Sequence, residues 1–255
     1  MRVQKNLLLI FLAILSSCTA PKKSKSQAGW QLVEVDYQDS TRERLVPLAL
    51  YRPAEESDLD NMPLVIFSHG YGENLPKSNL AYSYLTEHLA EKGYFVASIQ
   101  HELPSDSLLP RTGIPQIERR SNWERGATNI RFVLDQLKQD FPQLDYRRVV
   151  IMGHSNGGDM SVLFAETYPE EVQKLITLDQ RRYAFPRRAS PACYSIRSSD
   201  QPADEGVIPT PEEQKALGMS IVYLSNTTHN EMDDDANEEQ RAEITQLMDS
   251  FLEIN

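Results

Sequence analysis

The sequence predicts one α/β domain: a mostly parallel central sheet with helices on both faces and no large lid. Three observations predict it. Short β-branched runs alternate along the chain with stretches of helical periodicity, the pattern of strands joined by crossover helices. One of those runs, Pro63-Leu64-Val65-Ile66-Phe67, is apolar at nearly every position, as a strand covered on both faces requires. The 255 residues, 40% of them hydrophobic, suit one sizeable core better than two small ones.

The elements follow in order. Residues 31–37 and 45–51 read as extended, and the polar turn Asp39-Ser40-Thr41 makes them a hairpin. After the strand 63–67, Leu80, Tyr84, Leu85 and Leu89 mark a helix over 78–92 that stops at Gly93. Residues 94–99 are strand-like again, and the proline-containing stretch 101–121 reads as loop. Trp123, Ala127, Ile130, Leu134 and Leu137 recur every three or four residues, an amphipathic helix. The β-branched run 148–152 precedes a helix that Pro169 ends, and short strands follow at 174–178 and 192–197. Thr210-Pro211-Glu212-Glu213 is a capping box for a helix ending at Gly218. A last strand at 220–224 and a last helix opened by Asn237 and Gln240, with Ile244, Leu247, Met248 and Phe251 on one face, complete the chain.

Chemistry concentrates at Gly153-His154-Ser155-Asn156-Gly157, which lies between a predicted strand and a predicted helix. In that context Gly-x-Ser-x-Gly is a strained turn that holds the serine hydroxyl out at the carboxyl end of the sheet. A serine hydroxyl needs a base, a group to orient the base, and donors for the oxyanion that forms. His229, just past the last strand, is the best-placed base; an imidazole with a pKa near ~6.5 can take and return a proton around neutrality. His154 neighbours the serine on a tight turn, points elsewhere and packs inside. The orienting acid is Asp200, past the strand 192–197, or Asp179, at the end of 174–178; Asp204 is a third possibility. The backbone N–H groups of Tyr71, in Ser68-His69-Gly70-Tyr71-Gly72, and of Asn156 are the expected oxyanion donors, with His69 bracing the loop.

Together these residues resemble the α/β-hydrolase superfamily over nearly all of the chain from Trp30. The stretches 65–72 and 153–158 are similar to the platelet-activating-factor acetylhydrolase and dienelactone-hydrolase branches. The resemblance implies a Ser–His–Asp acyl hydrolase acting on small or extended carboxylic esters with no cofactor and no metal. The acetylhydrolase branch implies Asp179 as the acid; the dienelactone and cutinase-like branches imply Asp200, which the spacing from Ser155 and to His229 favours. Serine in place of the dienelactone branch's cysteine points to ester hydrolysis. Rival readings are a catalytically silent scaffold of the same fold and a peptidase.

Arg2 and Lys5, the apolar run 7–15 and Ser16-Ser17-Cys18 have the layout of a signal peptide over 1–17. Leu15-Ser16-Ser17-Cys18 resembles the bacterial lipobox, which implies lipidation at Cys18, a membrane partner only through that lipid, and residence in the cell envelope, in the outer membrane or facing the periplasm. Residues 18–29 then read as a flexible tether and 30–255 as the catalytic domain. A formal charge of −11 argues against nucleic acid as a partner. Cys193 sits in a predicted buried strand as a small hydrophobe. The five histidines lack metal-ligand spacing. Arg119, Arg120 and Arg125 with Trp123, and Arg181, Arg182, Arg187 and Arg188, are candidates either to recognise an anionic group or to form solvated charge clusters. Asp233-Asp234-Asp235 reads as a solvated run.

Overall fold

The computed structural model describes residues 22–27 and 29–253; the predicted signal peptide and Cys18 lie outside them. Nine strands form one sheet: β1 (Lys22–Gln27), β2 (Trp30–Asp39), β3 (Arg44–Arg52), β4 (Pro63–Ser68), β5 (Phe95–Ile99), β6 (Asp145–His154), β7 (Lys174–Leu178), β8 (Ala192–Arg197) and β9 (Ser220–Tyr223). Their order is β1-β2-β3-β5-β4-β6-β7-β8-β9. The first three strands and β5 pair antiparallel, and β5 through β9 pair parallel. The helices are α1 (Ser83–Glu91), α2 (Pro115–Glu118), α3 (Arg120–Asp140), α4 (Ser155–Thr167), α5 (Pro211–Leu217) and α6 (Glu238–Glu253).

Alternation along the central strands builds two cores. Leu64 and Ile66 of β4, with Val149 and Ile151 of β6, face Trp123, Ile130, Val133 and Leu134 of α3 and Val162 and Phe164 of α4. Val65, Phe67, Val150 and Met152 point the other way, toward Leu85 and Leu89 of α1 and Ile244, Met248 and Phe251 of α6. Burial on both faces is why the sequence runs through these strands are continuously apolar. Cys193 is buried in β8, and burial pushes its thiol up to about 12, as expected of an inert small hydrophobe.

Three elements differ from the sequence expectation. Lys22–Gln27, expected as tether, is a strand on β2, where its main chain pairs an otherwise open sheet edge. The helix expected over 78–92 breaks into a turn at Ser78–Leu80 and α1, because Asp234 accepts from the N–H groups of Ser83 (3.0 Å) and Tyr84 (3.2 Å) and starts α1 there. The stretch 101–121 contains the short α2, with Pro115 in its first turn. The predicted capping box of Thr210 with Glu213 is present on α5, and Asn237 and Gln240, expected to open the last helix, exchange the same reciprocal bonds before α6.

Candidate active site

At the carboxyl edge of the parallel strands, the segments after β6, β7 and β9 bring Ser155, Asp179 and His229 together. β6 passes directly into α4 at Ser155, whose φ of +51° is the left-handed backbone of a tight strand-to-helix turn. That turn requires its glycines: a Cβ on Gly153 would collide with the Gly157 carbonyl, and one on Gly157 with the carbonyls of Ser68 and His69. β7 is followed directly by Asp179, also left-handed at φ +53° and fully buried. His229 opens a short helical turn after β9, fixed by a capping box between Thr228 and Glu231.

These three side chains form one hydrogen-bonded chain. His229 Nδ1 donates to Asp179 Oδ2 at 2.5 Å, which leaves Nε2, 2.8 Å from Ser155 Oγ, to accept the serine proton. Asp179 also accepts from the Ser198 N–H (3.1 Å) and hydroxyl (2.7 Å), and pairs with Arg197 Nη2 at 2.9 Å. Burial acts to raise the Asp179 pKa. The His229 hydrogen bond, the Arg197 charge and the Ser198 donors outweigh it, so the carboxyl is held below its ordinary value.

The acid beside the imidazole ring is therefore Asp179 and not Asp200, the aspartate favoured by spacing. Asp200 Oδ1 instead accepts the main-chain N–H of His229 at 2.7 Å and so holds the histidine loop. Asp204 lies on a separate loop, paired with Arg182 and accepting from Gln116. Arg197 and Ser198 are absent from the sequence-based site. An arginine closing the buried run Ala192–Arg197 is the signal that could have found them, since a buried guanidinium needs a carboxylate nearby.

The oxyanion candidates stand on braced segments. Tyr71 lines the same cavity as Ser155 and His229, about 310 Å³ in volume, and its hydroxyl accepts from the Leu109 N–H. Asn156 starts α4 beside the serine, and its side chain is buried in a polar network. It accepts from Trp123 Nε1 (2.9 Å) and donates to Asn122 (2.8 Å) and Glu102 (3.2 Å). His69 accepts the His101 N–H at Nε2 and donates from Nδ1 to the Gly70 carbonyl, tying the loop after β4 to that after β5. Tyr82 joins two more parts: its hydroxyl accepts the Gly70 N–H (2.9 Å) and donates to His154 Nδ1 (2.7 Å). His154 packs inside, and burial next to His229 pushes its pKa down to about 3, so it is neutral.

The arginine clusters are largely engaged elsewhere. Arg119 donates to the Pro110 carbonyl, Arg120 pairs with Glu124 over the Tyr183 ring, and Arg125 lies 3.7 Å from Asp106. Arg187 and Arg188 donate to main-chain carbonyls, and none of these arginines lines the cavity at Ser155.

The family model described as serine aminopeptidase, S33, matches residues 60–178. No curated protein matches the chain in sequence. Among solved structures, the chain is similar to esterase Est22 with p-nitrophenol (13% identity, 89% of this chain and 82% of that one, TM-score 0.65). It is also similar to carboxyl esterase 2 of the mycorrhizal fungus Tuber melanosporum (13% identity, 90% and 88%, TM-score 0.65). A third is one of two fungal esterases from Rhizomucor miehei (14% identity, 93% and 84%, TM-score 0.64). Sheet order, the left-handed serine turn and these likenesses agree: the chain has the α/β-hydrolase fold.

Proposed function

We propose that the protein is a serine hydrolase that cleaves carboxylic esters through an acyl-enzyme. The observation that carries this reading is the unbroken chain Ser155–His229–Asp179, whose first two members line a cavity. The Ser155 oxygen bonds to the ester carbonyl carbon while its proton passes to His229 Nε2. Asp179 keeps the ring in the tautomer that accepts this proton and stabilises the imidazolium. The N–H groups of Asn156, in the first turn of α4 where no intrahelical acceptor exists, and of Tyr71 take the oxyanion. The ester C–O bond then breaks, His229 returns the proton to the leaving alkoxide, and water repeats the sequence to release the acid.

The esterases among the similar structures support this chemistry. An acid after β7 is the arrangement implied by resemblance to the acetylhydrolase branch, and it favours that kinship. The test is labelling by a fluorophosphonate probe together with hydrolysis of p-nitrophenyl acetate. Wild type is expected to do both and Ser155→Ala neither; a folded wild type that does neither overturns the reading. A second reading, peptide cleavage, is favoured by the aminopeptidase description of the matching model. Turnover of a p-nitroanilide in excess of the matching ester would select it.

The place of action we infer is the cell envelope, through lipid on Cys18. It rests on the basic, apolar and small-residue order of residues 1–18. Metabolic labelling with palmitate is expected in the wild type and lost in Cys18→Ser; equal labelling of neither removes the anchor.

A further inference from the structure

Glu102 is a buried carboxylate for which the acyl-transfer steps have no use. It stands in the loop that follows β5 and is 1% exposed; among the described residues no lysine or arginine pairs with it. A carboxylate withdrawn this far from water is held by its hydrogen bonds and close contacts. Those of Glu102 reach both segments that carry the expected oxyanion donors.

On one side, Glu102 Oε1 accepts from Nδ2 of Asn156 (3.2 Å) and from Nδ2 of Asn122 (3.4 Å). Asn156 Oδ1 is taken by Trp123 Nε1, and its Nδ2 also donates to Asn122 Oδ1, so the whole amide is committed. Asn156 therefore cannot turn, and with it the main-chain N–H at the start of α4, without breaking these bonds.

On the other side, Glu102 Oε2 lies 3.6 Å from His69 Nε2, a packing contact that backs the imidazole ring. Nδ1 of that ring donates to the Gly70 carbonyl at 2.6 Å. The Gly70 carbonyl and the Tyr71 N–H belong to one planar trans peptide and point in opposite directions. Holding the oxygen thus aims the N–H. The main chain of Glu102 is itself fixed, since Gln100 Nε2 donates to its carbonyl at 2.8 Å.

Resting on the ester-hydrolase reading above, we propose that Glu102 is a positioning residue that sets the spacing of the two oxyanion donors, acting through Asn156 and His69. Its contribution is reach and not charge. A negative group behind the oxyanion opposes the charge that develops there, so only the geometry it imposes favours the transition state.

The experiment sets reach against charge on the full chain. Glu102→Gln keeps the length and an acceptor for Asn156, turns an amide nitrogen toward the His69 ring, and discards the charge. Glu102→Asp keeps the charge and draws the carboxylate back by one methylene, away from both segments. Hydrolysis of p-nitrophenyl acetate is read as kcat and KM separately. Inhibition is read with a trifluoromethyl ketone, whose adduct on Ser155 places an alkoxide where the oxyanion forms. Glu102→Gln is expected to stay within about threefold of the wild-type kcat. Glu102→Asp is expected to lose about 10- to 100-fold in kcat with KM little changed, less than deletion of a whole donor costs. Its ketone inhibition is expected to weaken by the factor by which kcat/KM falls. A carboxylate that only supports the fold would lower Tm and leave the kcat and ketone affinity of the folded enzyme as they were. Glu102→Gln no more active than Glu102→Asp, or a loss confined to KM, overturns the proposal while the wild type still turns over and labels with the fluorophosphonate probe. A wild type that does neither overturns the hydrolase reading, and this inference with it.

Discussion

Asp179 Oδ2 lies 2.5 Å from Nδ1 of His229, fifty residues further along the chain, while the nearer candidate Asp200 holds only the histidine's main chain. The two aspartates thus have separable effects. Asp179→Asn leaves a ring free to adopt the wrong tautomer and is expected to lower kcat by about 10⁴. Asp200→Asn retains an oxygen acceptor for the His229 N–H and is expected to cost about tenfold or less, since one such hydrogen bond contributes about 1 kcal/mol. Steady-state kinetics on p-nitrophenyl acetate distinguish them; equal losses would mean that the ring is not oriented by Asp179.

Asp159, one turn along α4 from Ser155, predicts a pH dependence of stability. It accepts the N–H groups of Arg182 (3.0 Å) and Tyr183 (2.8 Å), yet burial pushes its carboxyl up to about 7 from an ordinary 3.8. Between those values the folded state holds a proton that the unfolded state has released, so this group subtracts stability as pH rises from 3.8 to about 7. Asp159→Asn keeps both acceptor contacts and cannot ionise. Its Tm relative to wild type is expected to climb from pH 4 to pH 8, each kcal/mol being worth about 2–4 °C in a chain of this size. A constant difference across that range would show that Asp159 titrates normally.

Tyr82→Phe removes the hydroxyl that joins Gly70 to His154. Two buried groups lose a partner, so unfolding in urea is expected to show a loss of about 1–3 kcal/mol. Because Gly70 precedes Tyr71 in the loop that lines the cavity, kcat is expected to fall more than KM rises. A variant with wild-type kcat would detach the tyrosine from the reaction.

Trp123→Phe keeps an aromatic ring in the core and deletes one donor, the indole N–H on Asn156 Oδ1. The orphaned oxygen is expected to cost about 1–3 kcal/mol in stability. A loss in kcat/KM should accompany it, because Asn156 is the first residue of α4 after the nucleophile. Unchanged kinetics with lowered stability would assign the network a purely structural part.

Much of this arrangement is legible in the residues. A glycine-flanked serine between strand and helix has a steric cause, and a histidine beyond the last strand has few other uses in that topology. The acid is not legible, because aspartates follow two neighbouring parallel strands and sequence distance does not say which one turns toward the ring. β1 is silent for a different reason: Lys-Lys-Ser-Lys-Ser-Gln has no hydrophobic alternation, and the strand is defined by main-chain pairing with β2. The start of α1 is equally hidden, since its cap comes from a residue 151 positions away.

Asp233, Asp234 and Asp235 are identical in type and consecutive in sequence, but they answer to different constraints. The middle one fastens the histidine loop to α1, so exchanging it endangers both the helix and the position of His229. The outer two border the cavity at Ser155, where Asp233 also accepts the Asp235 N–H and so shapes the turn. Three like residues in a row therefore tolerate exchange unequally, the middle one least.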